Sequence, residues 1–134
     1  MASIVREISI EVDPGAAWDA LRDWGAVHQR LAAGFVSDAR VVGRDRVVTF
    51  VDGPVVREVF VGADDRARRL AWAVADGSLG LAHYNASAQV IADGQTRTRF
   101  VWTADLLPDD LAGRVGQLME QGLSAIKNTL EKRA

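Results

Sequence analysis

Cysteine is absent, which removes disulfides, thiolate nucleophiles and most zinc sites. Histidine occurs only at His28 and His83, so a metal centre would have to be built from carboxylates, and no ligand-like spacing of them is present. Positive charge is not in excess either: 16 Lys and Arg stand against 18 Asp and Glu, for a formal net charge of −2, and the cations are scattered. The tightest basic group, Arg66-Ala67-Arg68-Arg69, follows Asp64-Asp65 and reads as a solvated turn. Nucleic acid, which is held by clustered phosphate contacts, is therefore not an expected partner. No run approaches the ~18 apolar residues of a membrane span. The N-terminal Met1-Ala2-Ser3-Ile4-Val5-Arg6-Glu7 carries charges where a signal peptide needs an apolar core, so the expected location is cytoplasmic. Gly77-Ser78-Leu79-Gly80 is not a nucleophile elbow, and no glycine-rich phosphate loop precedes a helix. No cofactor and no metal are expected.

What is present is the balance of a globular protein, with 49% hydrophobic and 25% charged residues. The length suits one domain over 1–134 with one real core. Ser3 to Val12 alternates, with Ile4, Ile8, Ile10 and Val12 on one side, interrupted there by Arg6, and predicts a half-buried first strand. Asp13-Pro14 stops it and opens a short helix, Asp13 as N-cap and Pro14 at the first helical position. A second short helix is expected from Trp24 to Ala32, where Val27 and Leu31 are four residues apart. Six β segments follow: 35–42, 46–51, 55–61, 69–75, 81–92 and 97–105, separated by Gly and Asp turns such as Asp52-Gly53-Pro54, Asp76-Gly77 and Asp93-Gly94. Such a run is an antiparallel meander. Pro108-Asp109-Asp110 opens a final helix with carboxylates in its first turn and Lys132 and Arg133 in its last. Its stripe, Leu111, Val115, Leu118, Met119, Gly122, Ile126 and Leu130, must lie on something apolar, and the sheet is the only candidate.

A bent sheet of six or seven strands around one long helix leaves a space that only large side chains can fill. Here many are small. Ala71, Ala73 and Ala75 share one strand face, Ala82, Ala86 and Ala88 part of another, and the last helix carries Gly113, Gly116 and Gly122. Each glycine marks either close packing or room for a ligand. A three-residue loop at Asp52-Gly53-Pro54 sets Val51 opposite Val55, and then Phe50 opposite Val56 and Val48 opposite Glu58. On this reading Glu58 faces inward and needs a partner, Arg46 being the nearest by sequence, or a wet pocket wall; the alternative is a solvent-facing Glu58. Val48, Phe50, Val56 and Glu58 on the strands, Ala86, and Leu118, Met119 and Gly122 on the helix are the expected ligand contacts.

Arg46-Val47-Val48-Thr49-Phe50-Val51-Asp52-Gly53, Arg57-Glu58-Val59-Phe60-Val61-Gly62-Ala63-Asp64-Asp65, Arg69-Leu70-Ala71-Trp72 and Gly122-Leu123-Ser124-Ala125-Ile126-Lys127 together resemble the polyketide cyclase/dehydrase-like branch of the SRPBCC or START-related superfamily. That resemblance implies an α+β helix-grip fold. Within the superfamily, Glu58, Asp64-Asp65, Trp72, Gly77 and Tyr84 fall in an order similar to that of the plant abscisic-acid receptors. The likeness implies that Glu58, Trp72 and Tyr84 line a cavity, with Val74 on the same strand face as Trp72. The chain departs from those receptors at their His-Arg-Leu latch, where it has Leu79-Gly80-Leu81, and at their cavity lysine, where it has Ser37.

Three functions follow as expectations. The first is binding of a small, largely apolar molecule, such as a lipid, terpenoid or polyketide. The second is a cyclase or dehydratase with Glu58 as base, its carboxyl raised toward neutrality by burial, and Tyr84 as hydrogen-bond donor. His28 would be a third member at the pocket mouth, or simply an exposed helix residue. The third is a protein-interaction module. Exposed edge strands also leave pairing into a homodimer open.

Overall fold

The computed structural model describes residues 1–77 and 79–133. Ser78 and Ala134 lie outside the described residues, as do the side chains of Asp76, from the turn assigned to Asp76-Gly77, and of Arg133, expected as a cation at the helix end.

Strand β1 (Ala2–Ile10) gives way to helix α1 (Pro14–Arg22) at Asp13, whose carboxylate accepts the Ala16 N–H at 3.0 Å. That bond satisfies a donor with no partner inside the helix, and Pro14 has none to satisfy. The second helix is not an α-helix. A 3-10 turn (Trp24–Ala26) runs into a single π turn (Val27–Leu31), closed by the Ala32 N–H donating to Val27 O at 2.7 Å. Val27 and Leu31 are both buried.

Strands β2 (Val36–Val42), β3 (Asp45–Phe50), β4 (Val55–Asp64), β5 (Arg69–Gly77), β6 (His83–Ala92) and β7 (Thr98–Leu107) follow as successive hairpins. All seven form one antiparallel sheet in the order β1-β7-β6-β5-β4-β3-β2, with β1 crossing to pair beside β7. Bulges interrupt β2 between Val36 and Asp38, and β4 both between Arg57 and Glu58 and between Phe60 and Gly62. Each adds local twist and bend, which is how a flat ladder becomes a concave grip. The sixth strand starts later than expected, at His83, so Leu79 and Leu81 belong to the preceding connection, where they pack against the core.

Even-numbered residues point into the concave side on most strands, because the registers pair even with even: Trp72 with Ala86, Ala86 with Ala104, Val90 with Phe100, Ile8 with Phe100. This corrects the use made of Ala71, Ala73 and Ala75 as signs of inner space. They lie on the outer face, the first two half-buried and Ala75 exposed, while Leu70 and Trp72 face the core; Ala82 is exposed as well.

The final helix also starts later than predicted. Asp109–Leu111 forms a 3-10 turn, closed by the Leu111 N–H on Pro108 O at 3.1 Å, and helix α2 runs over Ala112–Arg133. Asp109 and Asp110 therefore precede α2, and its own first turn has no acidic residue. Val115, Met119, Leu123, Ile126 and Leu130 are buried on its inner face, and the helix lies chiefly against β1. Its glycines have separate reasons. A Cβ at Gly122 would stand 2.8 Å from Trp102 Cζ3 and 3.1 Å from Phe35 Cε2, so this is a notch for two rings. One at Gly116 would meet Arg6 Nη2 at 3.0 Å, where the Arg6 guanidinium crosses the helix to reach Glu120 at 3.3 Å. One at Gly113 would meet nothing within 4 Å. No helix among the described residues is long and apolar enough to cross a membrane.

The two ends of this series should respond oppositely to alanine. Gly113→Ala is expected to stabilise by a few tenths to about 1 kcal/mol from helix propensity alone. Gly122→Ala should instead cost about 1–3 kcal/mol, because the rings in the notch cannot retreat without disturbing the core. Urea midpoints at unchanged slope would measure both, and equal shifts would mean that Gly122 is not a packing notch.

Candidate functional site

The site starts at the β3–β4 hairpin. Phe50 N donates to Pro54 O at 2.9 Å and Gly53 N to Phe50 O at 2.9 Å, so the loop is Val51-Asp52-Gly53, with Gly53 at a positive φ of 106°. The expected loop began one residue later. Proline explains the difference: Pro54 lacks an N–H yet still offers its carbonyl to the ladder, so it can serve as the first residue of the returning strand. The corrected register sets Val48 opposite Val56 and Arg46 opposite Glu58. The inward face is unchanged, because moving the loop by one residue shifts the pairing by two.

Glu58 is buried with Arg46, whose Nε donates to Glu58 Oε1 at 2.7 Å, and the two side chains are only 10% and 6% exposed. Arg46 is held from two further sides. Its Nη1 donates to Trp24 O at 3.0 Å, and its guanidinium carbon lies 3.7 Å from the centre of the Trp24 ring. Trp24 meets Phe60 edge to face at 5.4 Å. The irregular segment after α1 thus supplies a carbonyl and a π face to a cation that the sheet could not satisfy alone.

Between the concave face and α2 lies a cavity of about 320 Å³. Its walls are chiefly apolar, contributed by strands β3 to β7, by α2 and by the segment from Leu31 to Val36. Val48, Phe50, Val56 and Glu58, then Trp72, Val74 and Tyr84, and on the helix Leu118, Met119 and Gly122, all border it. Ala86 does not, which corrects its assignment. Buried opposite Trp72 on one side and Ala104 on the other, it lies where the Trp72 and Trp102 rings converge across β6 to a centroid distance of 6.2 Å. The rings take the volume that a small side chain had suggested was free. At the rim, Asp52, Arg114 and Gln121 are exposed.

Tyr84 is buried and borders the same cavity as Glu58, but no hydrogen bond joins them among the described residues. Burial pushes the Tyr84 phenol well above the usual tyrosine range, and the negative charge of Glu58 adds to the effect. The Trp102 indole N–H beside the phenol oxygen favours the ionised form and opposes the shift. His28 is half-buried, away from the cavity wall, and its Nδ1 has no hydrogen-bond partner among the described residues. His83 is exposed on the outer face, its Nε2 2.6 Å from Asn85 Oδ1. Among the described residues no cluster of His, Asp or Glu is arranged to hold a metal ion.

Several wall residues were not anticipated: Trp102, Phe100 and Phe35, Arg46 as a surface of the cavity itself, and Arg114 at its rim. Trp102 and Phe100 could have been found by parity, since β7 pairs with β6 even to even, placing Trp102 opposite Ala88. Phe35 and Arg114 carry no such signal.

A family model described as polyketide cyclase / dehydrase and lipid transport matches residues 1–131. No curated protein matches the chain at a significant level. Among solved structures, an uncharacterised protein from Bacillus thuringiensis superposes with a TM-score of 0.86 at 16% identity, over 96% of this chain and 98% of that one. A START superfamily protein from Mycobacterium smegmatis gives a TM-score of 0.75 at 12% identity, over 98% and 95%. Norcoclaurine synthase from Thalictrum flavum, solved with dopamine and hydroxybenzaldehyde, gives 0.72 at 18% identity, over 98% and 85%. At these identities the likeness is one of fold.

Two predictions test the buried polar groups. Arg46→Met should destabilise by about 3 kcal/mol, because it strands a carboxylate in the wall, and Arg46→Met with Glu58→Met together should cost less than Arg46→Met alone. A double-mutant cycle in urea measures this, and simple additivity would deny the pair. For Tyr84, whose folded pKa is raised, the stabilising contribution is complete below the unfolded value of about 10 and is lost as pH rises past it, because the unfolded chain releases the proton first. Stability should therefore fall above pH ~10 with a slope approaching ~1.4 kcal/mol per pH unit. Tyr84→Phe should remove that component. As Tyr84 is the only tyrosine, phenolate absorbance reports it alone, and ordinary titration in the folded protein would refute the assignment.

Proposed function

The chain belongs to the polyketide cyclase / dehydrase and lipid transport family, and on that premise we propose that it binds a small, largely apolar molecule in the cavity between sheet and α2. The observation that carries the reading is the cavity itself: about 320 Å³, walled mainly by aliphatic and aromatic side chains, with few polar groups. That volume is at the small end of the ~300–1,000 Å³ usual for ligand pockets. Lipid, terpenoid and polyketide-like molecules all suit such walls. Norcoclaurine synthase, solved in complex with dopamine and hydroxybenzaldehyde, supports the choice only in that a protein of the same fold binds small aromatic molecules.

The acid–base alternative is less well supported. Glu58 would have to be free to take a proton from a guest, yet its carboxylate is gripped by Arg46 at 2.7 Å, and Tyr84 is not hydrogen-bonded to it. A carboxylate whose charge is balanced in this way serves the wall. Binding requires nothing of Glu58 beyond that.

Native mass spectrometry of protein purified from its own host should show a co-purifying apolar molecule. An apolar ligand at a hundredfold excess over its Kd should stabilise the protein by about 2.7 kcal/mol. Leu118→Trp, which extends a half-buried wall residue into the void, should lower that ligand's affinity about tenfold or more while changing stability by less than about 1 kcal/mol. No bound molecule, and no thermal shift across an apolar library, would overturn the proposal.

A further inference from the structure

The two edges of the sheet differ. Along β1 the outward backbone groups are occupied: Ser9 O accepts from Lys127 Nζ at 2.9 Å and Val5 O from Arg6 Nη1 at 3.0 Å. Just past the strand, Glu11 N donates to Glu131 Oε2 at 3.0 Å. Long side chains thus close that edge to a further strand. At the other end of the sheet order, β2 has no such cover beyond Val36 among the described residues. Val42 pairs with Asp45 across the two-residue turn Gly43-Arg44, so Val42 and Arg40 aim their N–H and C=O at β3, while Val41 and Ala39 aim theirs away from the sheet. A Cβ at Gly25 would stand 2.9 Å from Val41 Cγ2, so the segment after α1 packs beneath β2, on its inner face. Val41 and Val42 remain 50% and 37% exposed, apolar surface that a neighbouring strand would cover.

The charges on the outer face show which strand fits. Asp38 and Arg40 are exposed there, with no hydrogen-bond or ion-pair partner among the described residues. A second copy running antiparallel, with Ala39 opposite Ala39, matches both charges. Each Asp38 then faces Arg40 of the other copy in a non-hydrogen-bonded pair, where side chains come closest, and the outward groups of the two Ala39 residues bond each other. Pairing centred one residue later would set Arg40 against Arg40. We infer that β2 is a self-recognition edge, at which two copies of the chain pair antiparallel about Ala39 and join their sheets into one. The ladder ends at Ser37, because the bulge before Asp38 and the bridge of Val36 to Ala33 interrupt the edge, so the dimer is weak and concentration-dependent. It is independent of the cavity and its guest.

Sedimentation velocity over a concentration series, with charge reversals at these exposed positions, tests the inference. The wild type should dimerise. Asp38→Arg and Arg40→Asp each set like charges together twice and should weaken dimerisation about tenfold or more. An equimolar mixture of the two variants restores both opposite-charge contacts, so it should form heterodimers about as tightly as the wild type pairs with itself. In the wild type, the Ala39 amide should also exchange with solvent more slowly as concentration rises. The inference would be overturned by a wild type that stays monomeric throughout, by single variants that dimerise as the wild type does, or by a mixture no tighter than either variant alone. A dimer whose Ala39 amide exchanges at the monomer's rate would also overturn it, by placing the interface elsewhere.

Discussion

A guanidinium bonded to a carboxylate across two neighbouring strands holds the rest of the site in place. Arg46 and Glu58 face each other on the inner side of β3 and β4, while Arg57 meets Asp45 at 2.8 Å on the outer side. A slip of one residue would set Arg46 against Arg57 and Asp45 against Glu58, like charge to like on both faces. The register is therefore defended by repulsion as well as by pairing, and with it the inward direction of Val48 and Val56. Desolvation offsets much of the attraction in a buried pair, so its value lies less in net stability than in the cost of every alternative. Trp24 completes the arrangement from outside the sheet, which ties the segment after α1 to the same register.

The position of α2 then determines where space remains. The helix leans chiefly on β1, at one edge of the sheet, and its Gly122 notch receives Trp102 from β7 and Phe35 from the turn before β2. Strands β3, β4 and β5 lie farther along the concave face, bent away by the two bulges in β4. The cavity occupies the volume between that outer half and the helix. Aromatic rings brace its perimeter: Phe35 meets Phe50 edge to face at 5.3 Å, and Trp72 meets Trp102 across β6. These are rigid groups with few rotamers, so the space between them is less easily closed by side-chain adjustment than one lined by methionine or leucine alone.

Much of this was legible because two-residue periodicity survives an error in loop placement. The hairpin at Gly53 sits one residue from its expected position, yet the even face stayed inward, and so did Val48, Val56 and Glu58. The Asp13-Pro14 boundary was readable for a local reason, a cap and a ring that act within four residues. Tertiary facts were not readable in that way. Ala71 and Ala86 are equally small in sequence, but one lies on the outer face and the other beneath two tryptophans whose meeting depends on the registers of three strands. Gly113, Gly116 and Gly122 look alike until their surroundings are known: Gly113 meets nothing, and the partners of the other two, Arg6, Phe35 and Trp102, are far away in the chain. The π turn at Val27–Leu31 likewise has a helical spacing of apolar residues, and only its i+5 hydrogen bond distinguishes it.

The energy of the empty space gives the last step. Holding 320 Å³ as a dry void, at about 24 cal/mol per Å³, would cost about 8 kcal/mol, as much as the whole stability of many domains of this size. A sequence with so many large aromatic residues around the space could relieve that cost by filling it, but the two indoles meet each other at a tilt and Trp102 enters the Gly122 notch instead. The cavity also reaches the surface, at the exposed Asp52, Arg114 and Gln121, so water can enter and the void need not be dry. Water there meets mainly apolar walls and few hydrogen-bonding groups, an environment it leaves readily for bulk. An apolar guest would therefore gain both from its own burial and from releasing that water, without any strand having to move. The frame holds open the volume from which water is most easily displaced, and this connects the Arg46–Glu58 register to the proposed binding of a guest.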